Sequence, residues 1–231
     1  MLTMAASPAA GRPPRRSLSD LALRFRRERE GVSAVEFALV LPIMLTIWAG
    51  VSEFAHAADY WRKLTLLSRT VSDLTAQGDV VTVSAGKSNP EISANLMKDI
   101  LGAATSQVRP FDASTVKIVV SAMMVPAPGA GVKPQVCSST ANANAVGRSV
   151  GVASDLTVPA GFQTQGMRYV LAEVSMTYSP MLGSSFAKLF SSAGTIVLRS
   201  SMPWPTRGGA TVNSPLFKEV ILPGGKACPI I

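Results

Sequence analysis

The longest feature in the pattern of polar and apolar positions is one nearly unbroken apolar run. The stretch VSAVEFALVLPIMLTIWAGVS, residues 32–52, carries a single charge, Glu36. A helix of that length rises roughly 30 Å at about 1.5 Å per residue, the thickness of a bilayer's hydrocarbon core. Pro42 and Gly50 are its kink positions, and lipid tolerates both. The pattern then changes without a turn signal. Phe54, Ala58, Trp61, Leu64, Leu67 or Ser68, Val71 and Leu74 recur every three or four residues, which predicts one apolar helix face turned to a core. Gly78 is the stop. The pattern therefore predicts one helix over 32–77, with 32–53 crossing a membrane and 54–77 continuing outside it as a stalk.

A second helix is predicted within SNPEISANLMKDILGAATSQV, with Asn89 as its cap, Pro90 at its first position, and Ile92, Leu96 and Ile100 on one face. Three β-rich runs follow, over 114–125, 167–179 and 194–204. The middle one alternates cleanly: Tyr169, Leu171, Glu173, Ser175 and Thr177 point one way, Val170, Ala172, Val174, Met176 and Tyr178 the other. The Pro/Gly/Ala/Ser/Asn-rich stretch 126–165 reads as a long loop, and the C-terminal stretch as loop with one short strand. The expected architecture is α+β, a long N-terminal membrane-spanning helix whose stalk packs on a small antiparallel sheet. It divides into a basic leader (1–31), a membrane helix (32–53), a stalk (54–77) and a head (78–231).

Charge refines this picture. The chain carries +8 overall, but residues 1–31 hold seven arginines against Asp20, Glu28 and Glu30, half of that excess. Arginines beside an apolar run stay on the cytoplasmic side, which puts the head outside. The remaining charges are scattered and no aromatics interleave with them, so nucleic acid is not an expected partner. The first twenty residues, rich in Ala, Pro, Ser and Arg, read as disordered.

Candidate chemistry is sparse. His56 is the one histidine and reads as a helix-surface residue, so neither a zinc site nor a Ser/His/Asp set can be assembled; no cofactor and no metal are expected. Ser185 and Lys188 fit Ser-x-x-Lys without the companion motifs of enzymes that use it. Glu173 and Asp155 cannot be paired from sequence. In a chain exported to an oxidising compartment, the two cysteines, Cys137 and Cys228, would pair. Closing a loop of about 90 residues stabilises by roughly 4 kcal/mol through the denatured state. Two buried free thiols are the alternative.

Residues 26–45, RRERE-GVSAVEFALVLPIML, resemble the leader-and-helix signal of type IV pilin-like proteins: a basic leader ending in glycine, then an apolar helix with glutamate fifth and phenylalanine sixth. Within that group AVEFALVLP is most similar to the TadE/TadG-like minor pseudopilins of tight-adherence (Tad) pilus systems. The leader departs from the pattern in its length, its prolines and Glu30 before the glycine. The resemblance implies cleavage between Gly31 and Val32 by a prepilin-type peptidase. It also implies a role for Glu36, next to Phe37, as the partner of the N-terminal amine of a neighbouring subunit. Its expected partners are the membrane and other pilins and pseudopilins of a Tad pilus, its expected place is the bacterial inner membrane with the head periplasmic, and its expected role is non-enzymatic. A carboxylate inside a membrane costs about 2.5–3.5 kcal/mol on insertion scales, which favours such a partner; solvation at the cytoplasmic interface is the plainer reading.

The rival is an ordinary signal peptide. AHA at 55–57 satisfies the small-x-small rule, and cleavage after Ala57 would release a soluble periplasmic binding domain.

Overall fold

The computed structural model describes residues 30–78, 81–83, 87–89, 91–180, 188 and 195–230. They fall into two units, one reaching to Val51 and the other from Ser52 onward. Helix α1, Glu30–Gln77, contributes to both and ends at Gly78, whose φ is +22°. A small hairpin follows, β1 (Val81–Val83) with β2 (Lys87–Asn89), and then helix α2, Ala94–Ser106.

The remaining strands form one antiparallel sheet, as the alternation predicts: β3 (Lys117–Met124), β4 (Gln135–Ala141), β5 (Gly151–Val152), β6 (Arg168–Tyr178) and β7 (Ile196–Pro205), ordered β5-β4-β3-β6-β7. One sheet face packs on the second half of α1 and on α2. Leu64, Leu67 and Val71 of α1 and Met97 and Ala104 of α2 join Ile118, Val120, Val170, Ala172 and Val174 in the main core. Among the described residues the opposite face is covered at one end only, where Met123, Tyr169 and Leu171 pack with Val125, Val136, Ala153 and Val158. That half-cover explains why β6 is buried on both faces at its start and alternates only near its end.

Four expectations need correction. The second helix is capped by Ser93, not Asn89: the Leu96 amide donates to Ser93 Oγ at 3.2 Å, and Asn89 lies in β2. A side-chain oxygen just before the first helical turn satisfies an orphan amide, and Ser93 stands where that geometry arises. Leu96 accordingly turns outward, and Met97, Ile100 and Ala104 are the buried residues. The stretch 126–165 is not all loop, since it contains β4 and β5; the Ser/Thr-rich β4 sequence QVCSSTA hides its strand character because hydroxyls satisfy one another across strands. The stripe on α1 is rotated at its start. Phe54 and Trp61 are exposed, and the face toward the sheet runs through Glu53, Tyr60, Leu64, Leu67, Ser68, Val71, Ser72, Thr75 and Ala76. Finally, the C-terminal stretch makes only isolated bridges among the described residues, Ala210 with Glu219 and Glu91 with Ile221.

The end of α1 is closed from far along the chain. The amides of Arg207 and Gly208 both donate to Ala76 O at 2.9 Å, and Gly209, at φ +73°, donates to Gly78 O. A Cβ on Gly208 would lie 1.6 Å from Gln77 O, so this crossing requires glycine.

Candidate functional site

Gly31, Val32, Glu36 and Phe37 occupy the first turns of α1. Val32 and Glu36 are four residues apart and share a helix face. An 18-residue window of this helix has a mean hydropathy of 2.0 and no buried residue within the protein. Apolar side chains project on every side, from Val32 and Phe37 to Ile47 and Trp48. In water such a surface would collapse onto something; in lipid a helix is the conformation that satisfies each backbone group internally. Pro42 takes one amide out of the ladder, and Thr46 Oγ1 donates to the Pro42 carbonyl at 2.7 Å. Among the described residues no side chain pairs with Glu36.

Where the second unit begins, a carboxylate is handled differently. Glu53 is 8 % exposed and accepts a short hydrogen bond from the Tyr178 hydroxyl. Burial, and then Glu53, push the Tyr178 phenol above its ordinary range. Tyr60 stacks on Phe111 at 3.6 Å and meets Tyr178 edge-on, while Lys63 lies over the Phe111 ring and donates to Arg109 O at 2.7 Å. His56 sits 6.3 Å from the same Phe111 ring, which accounts for it as a packing residue.

Farther along, Cys137 and Cys228 are joined in a disulfide. Beside it Arg168 and Glu219 form an ion pair at 3.3 Å with almost no exposure, and together they hold the tail: Arg168 donates to Pro229 O and the Cys228 amide donates to Glu219. Burial pushes the Glu219 carboxyl up and the Arg168 guanidinium down, with their mutual attraction opposing both. Burial also pushes the Tyr169 phenol up to about 12. Glu173 and Asp155, unpairable from sequence, are brought together by Arg148, which reaches both carboxylates. Those hydrogen bonds hold Asp155 below the ordinary carboxylate range.

None of these groups forms a nucleophile and base. Ser185 lies outside the described residues, Lys188 is in an exposed turn, and among the described residues no cluster of His, Cys, Asp or Glu could hold a metal. Sequence reasoning missed Glu53, Arg148 and the Arg168–Glu219 pair. An acidic residue at helix spacing from Tyr60 and Leu64 was the available signal for Glu53; the other two depend on contacts between distant segments and left none.

Residues 31–72 match the family model described as TadE-like protein. The match begins at Gly31 and stops inside α1, so it covers the apolar stretch and the first part of the packed stretch and leaves out the sheet. Neither a curated protein nor a solved structure matches the chain.

Proposed function

We propose that this chain is a TadE-like minor pseudopilin, a non-enzymatic component in the biogenesis of a tight-adherence type pilus. It is held by a single crossing of the bacterial inner membrane through residues 32–53, with the leader cytoplasmic and the head periplasmic. The observation that carries this reading is Glu36, a carboxylate on the exposed apolar stretch of α1, five positions after Gly31 and at the start of the TadE-like match.

The mechanism is assembly. A prepilin-type peptidase cuts between Gly31 and Val32, creating an α-ammonium at Val32, and Glu36 of a neighbouring helix neutralises it. The two opposite charges leave water together, which makes one register between helices cheaper than the others. The disulfide and the buried ion pair keep the head intact while its helix inserts among other pilins and pseudopilins.

The rival reading, release after Ala57, is disfavoured by two observations. Ala57 lies inside the continuous helix α1, and a cut there would remove Glu53 from Tyr178.

The test is the N-terminal residue of protein taken from a membrane fraction. A start at Val32 supports the reading, and a start at Ala58 retires it. A second experiment separates processing from assembly: Glu36→Ala leaves expression and membrane insertion unchanged and abolishes support of the pilus. Normal piliation in that variant would sink the mechanism.

A further inference from the structure

The half-covered face of the sheet leaves a groove of about 780 Å³. Its floor is the far end of β3, β6 and β7, and its wall is the segment 143–148. Three facts define its chemistry.

The wall is built in advance. Asn142 accepts from the Ile118 amide at 3.1 Å and donates to Val116 O at 2.7 Å, and Asn144 donates to Ser114 O and Val116 O. Gly147 lies so close to β4 that a Cβ there would come within 3.3 Å of Ser139 O, and the Arg148 amide donates to Ser139 Oγ. The backbone of the wall is thus held before a ligand arrives, which lowers that part of the entropic cost of binding.

The charge in the groove is unbalanced. Glu173 is the acid in its lining, and Arg148 already binds it, with Asp155 on the other side of the same guanidinium. Lys117 and Arg199 are both exposed and have no ion-pair partner among the described residues. Register places them in one row: Lys117 faces Ser175, and Ser175 faces Arg199. Their backbones are therefore about 10 Å apart across three strands, with a hydroxyl between them.

The surface beside the cations is mixed. Val119 on the floor and Val146 on the wall, the latter 90 % exposed, offer apolar contact beside the charges. A small free anion would leave both valines and most of the volume unused. An extended chain has alternate side chains about 6.6 Å apart on one side, so it can offer carboxylates to the row and apolar side chains to the valines.

We propose that this groove binds an acidic, extended peptide segment of a protein partner, with Lys117 and Arg199 contacting its carboxylates and Val119 and Val146 its apolar side chains. The proposal stands on the head alone and is independent of processing at Gly31.

The experiment uses the full chain in detergent micelles and fluorescence anisotropy with a labelled peptide of alternating Glu and Val. Saturable binding is expected. It should weaken at least roughly tenfold in Lys117→Glu combined with Arg199→Glu, and by a similar factor when the probe's Glu is replaced by Gln. Lys218→Glu with Lys226→Glu makes the same change in net charge away from the groove and should leave binding within about twofold. The melting temperature of each variant reports its folding. Equal binding by the groove variant, equal loss in the control variant, no binding at all, or displacement by inorganic phosphate at concentrations equal to the peptide's would each overturn the proposal.

Discussion

Leu39 and Leu67 belong to the same helix, yet Leu39 is 69 % exposed and Leu67 wholly buried. The reversal extends to polar groups. The stretch 31–48 is apolar almost throughout and exposed at every position, whereas 64–76 carries Ser68, Ser72 and Thr75 with no exposure at all. Charges follow suit: Glu36 is exposed among apolar side chains, and Glu219 is buried against Arg168. Apolarity and burial run in opposite directions along α1. The lesson is that the two stretches meet different surroundings: the second is buried against a protein interior, and the first has the solvent that the proposed function assigns to it, lipid.

The comparison can be broken most forcefully at the carboxylates. Glu219→Ala strands Arg168 in the interior and should cost about 3–5 kcal/mol of head stability, whereas Glu36→Ala should leave the melting temperature in detergent unchanged; equal effects would dissolve the distinction. The leucines come next. Leu67→Ala removes a wholly buried side chain and should cost about 2–5 kcal/mol, while Leu39→Ala should stay within about 0.5 kcal/mol, both read from thermal unfolding.

Two hydroxyls give a finer contrast. Ser72 Oγ donates to Met202 O, 130 residues away, and Thr46 Oγ1 donates to Pro42 O one turn back. Ser72→Ala leaves a part-buried carbonyl short of a donor and should lower stability by about 1 kcal/mol, with Thr46→Val close to neutral in the same assay.

The smallest effect concerns pH. Asp155 is held below the ordinary carboxylate range in the folded state, so its contribution is present above the unfolded value of about 4 and is lost as pH falls through the lower folded value. Because its side chain is 60 % exposed, solvent screening keeps that contribution under about 1 kcal/mol. Between pH 5 and pH 3 the wild type should lose slightly more melting temperature than Asp155→Asn, and parallel curves would remove Arg148 as the cause.

Much of the fold was legible because its strongest signals are local. A bilayer-length apolar run, the alternation of β6 and the glycine after Gln77 each express one physical requirement over a few neighbouring residues. The face of α1 was only partly legible. Phe54, Ala58 and Trp61 keep helical period as well as the true face does, and period cannot tell which of two adjacent stripes meets the sheet when one of them contains Glu53. β4 was missed because Ser121 and Ser139 satisfy each other across strands, so that neither needs an apolar neighbour to be buried. Of the candidate site, Gly31, Val32, Glu36 and Phe37 could be proposed from the resemblance that their order carries. The cations of the groove could not, because Lys117 and Arg199 become neighbours only through the register of β3, β6 and β7.

The closure of α1 by Arg207 and Gly208 also bears on when the head can exist. A helix forms within about a microsecond of its residues being available, but the groups that satisfy its last carbonyls belong to a segment some 130 residues later, the same separation as Ser72 from Met202. At the usual 5–20 residues per second, on the order of ten seconds of synthesis separate the two. During that interval the last turn of α1 is formed while its terminal carbonyls lack the amides that will satisfy them. The end of the helix is therefore completed only when the Gly208–Gly209 pair arrives.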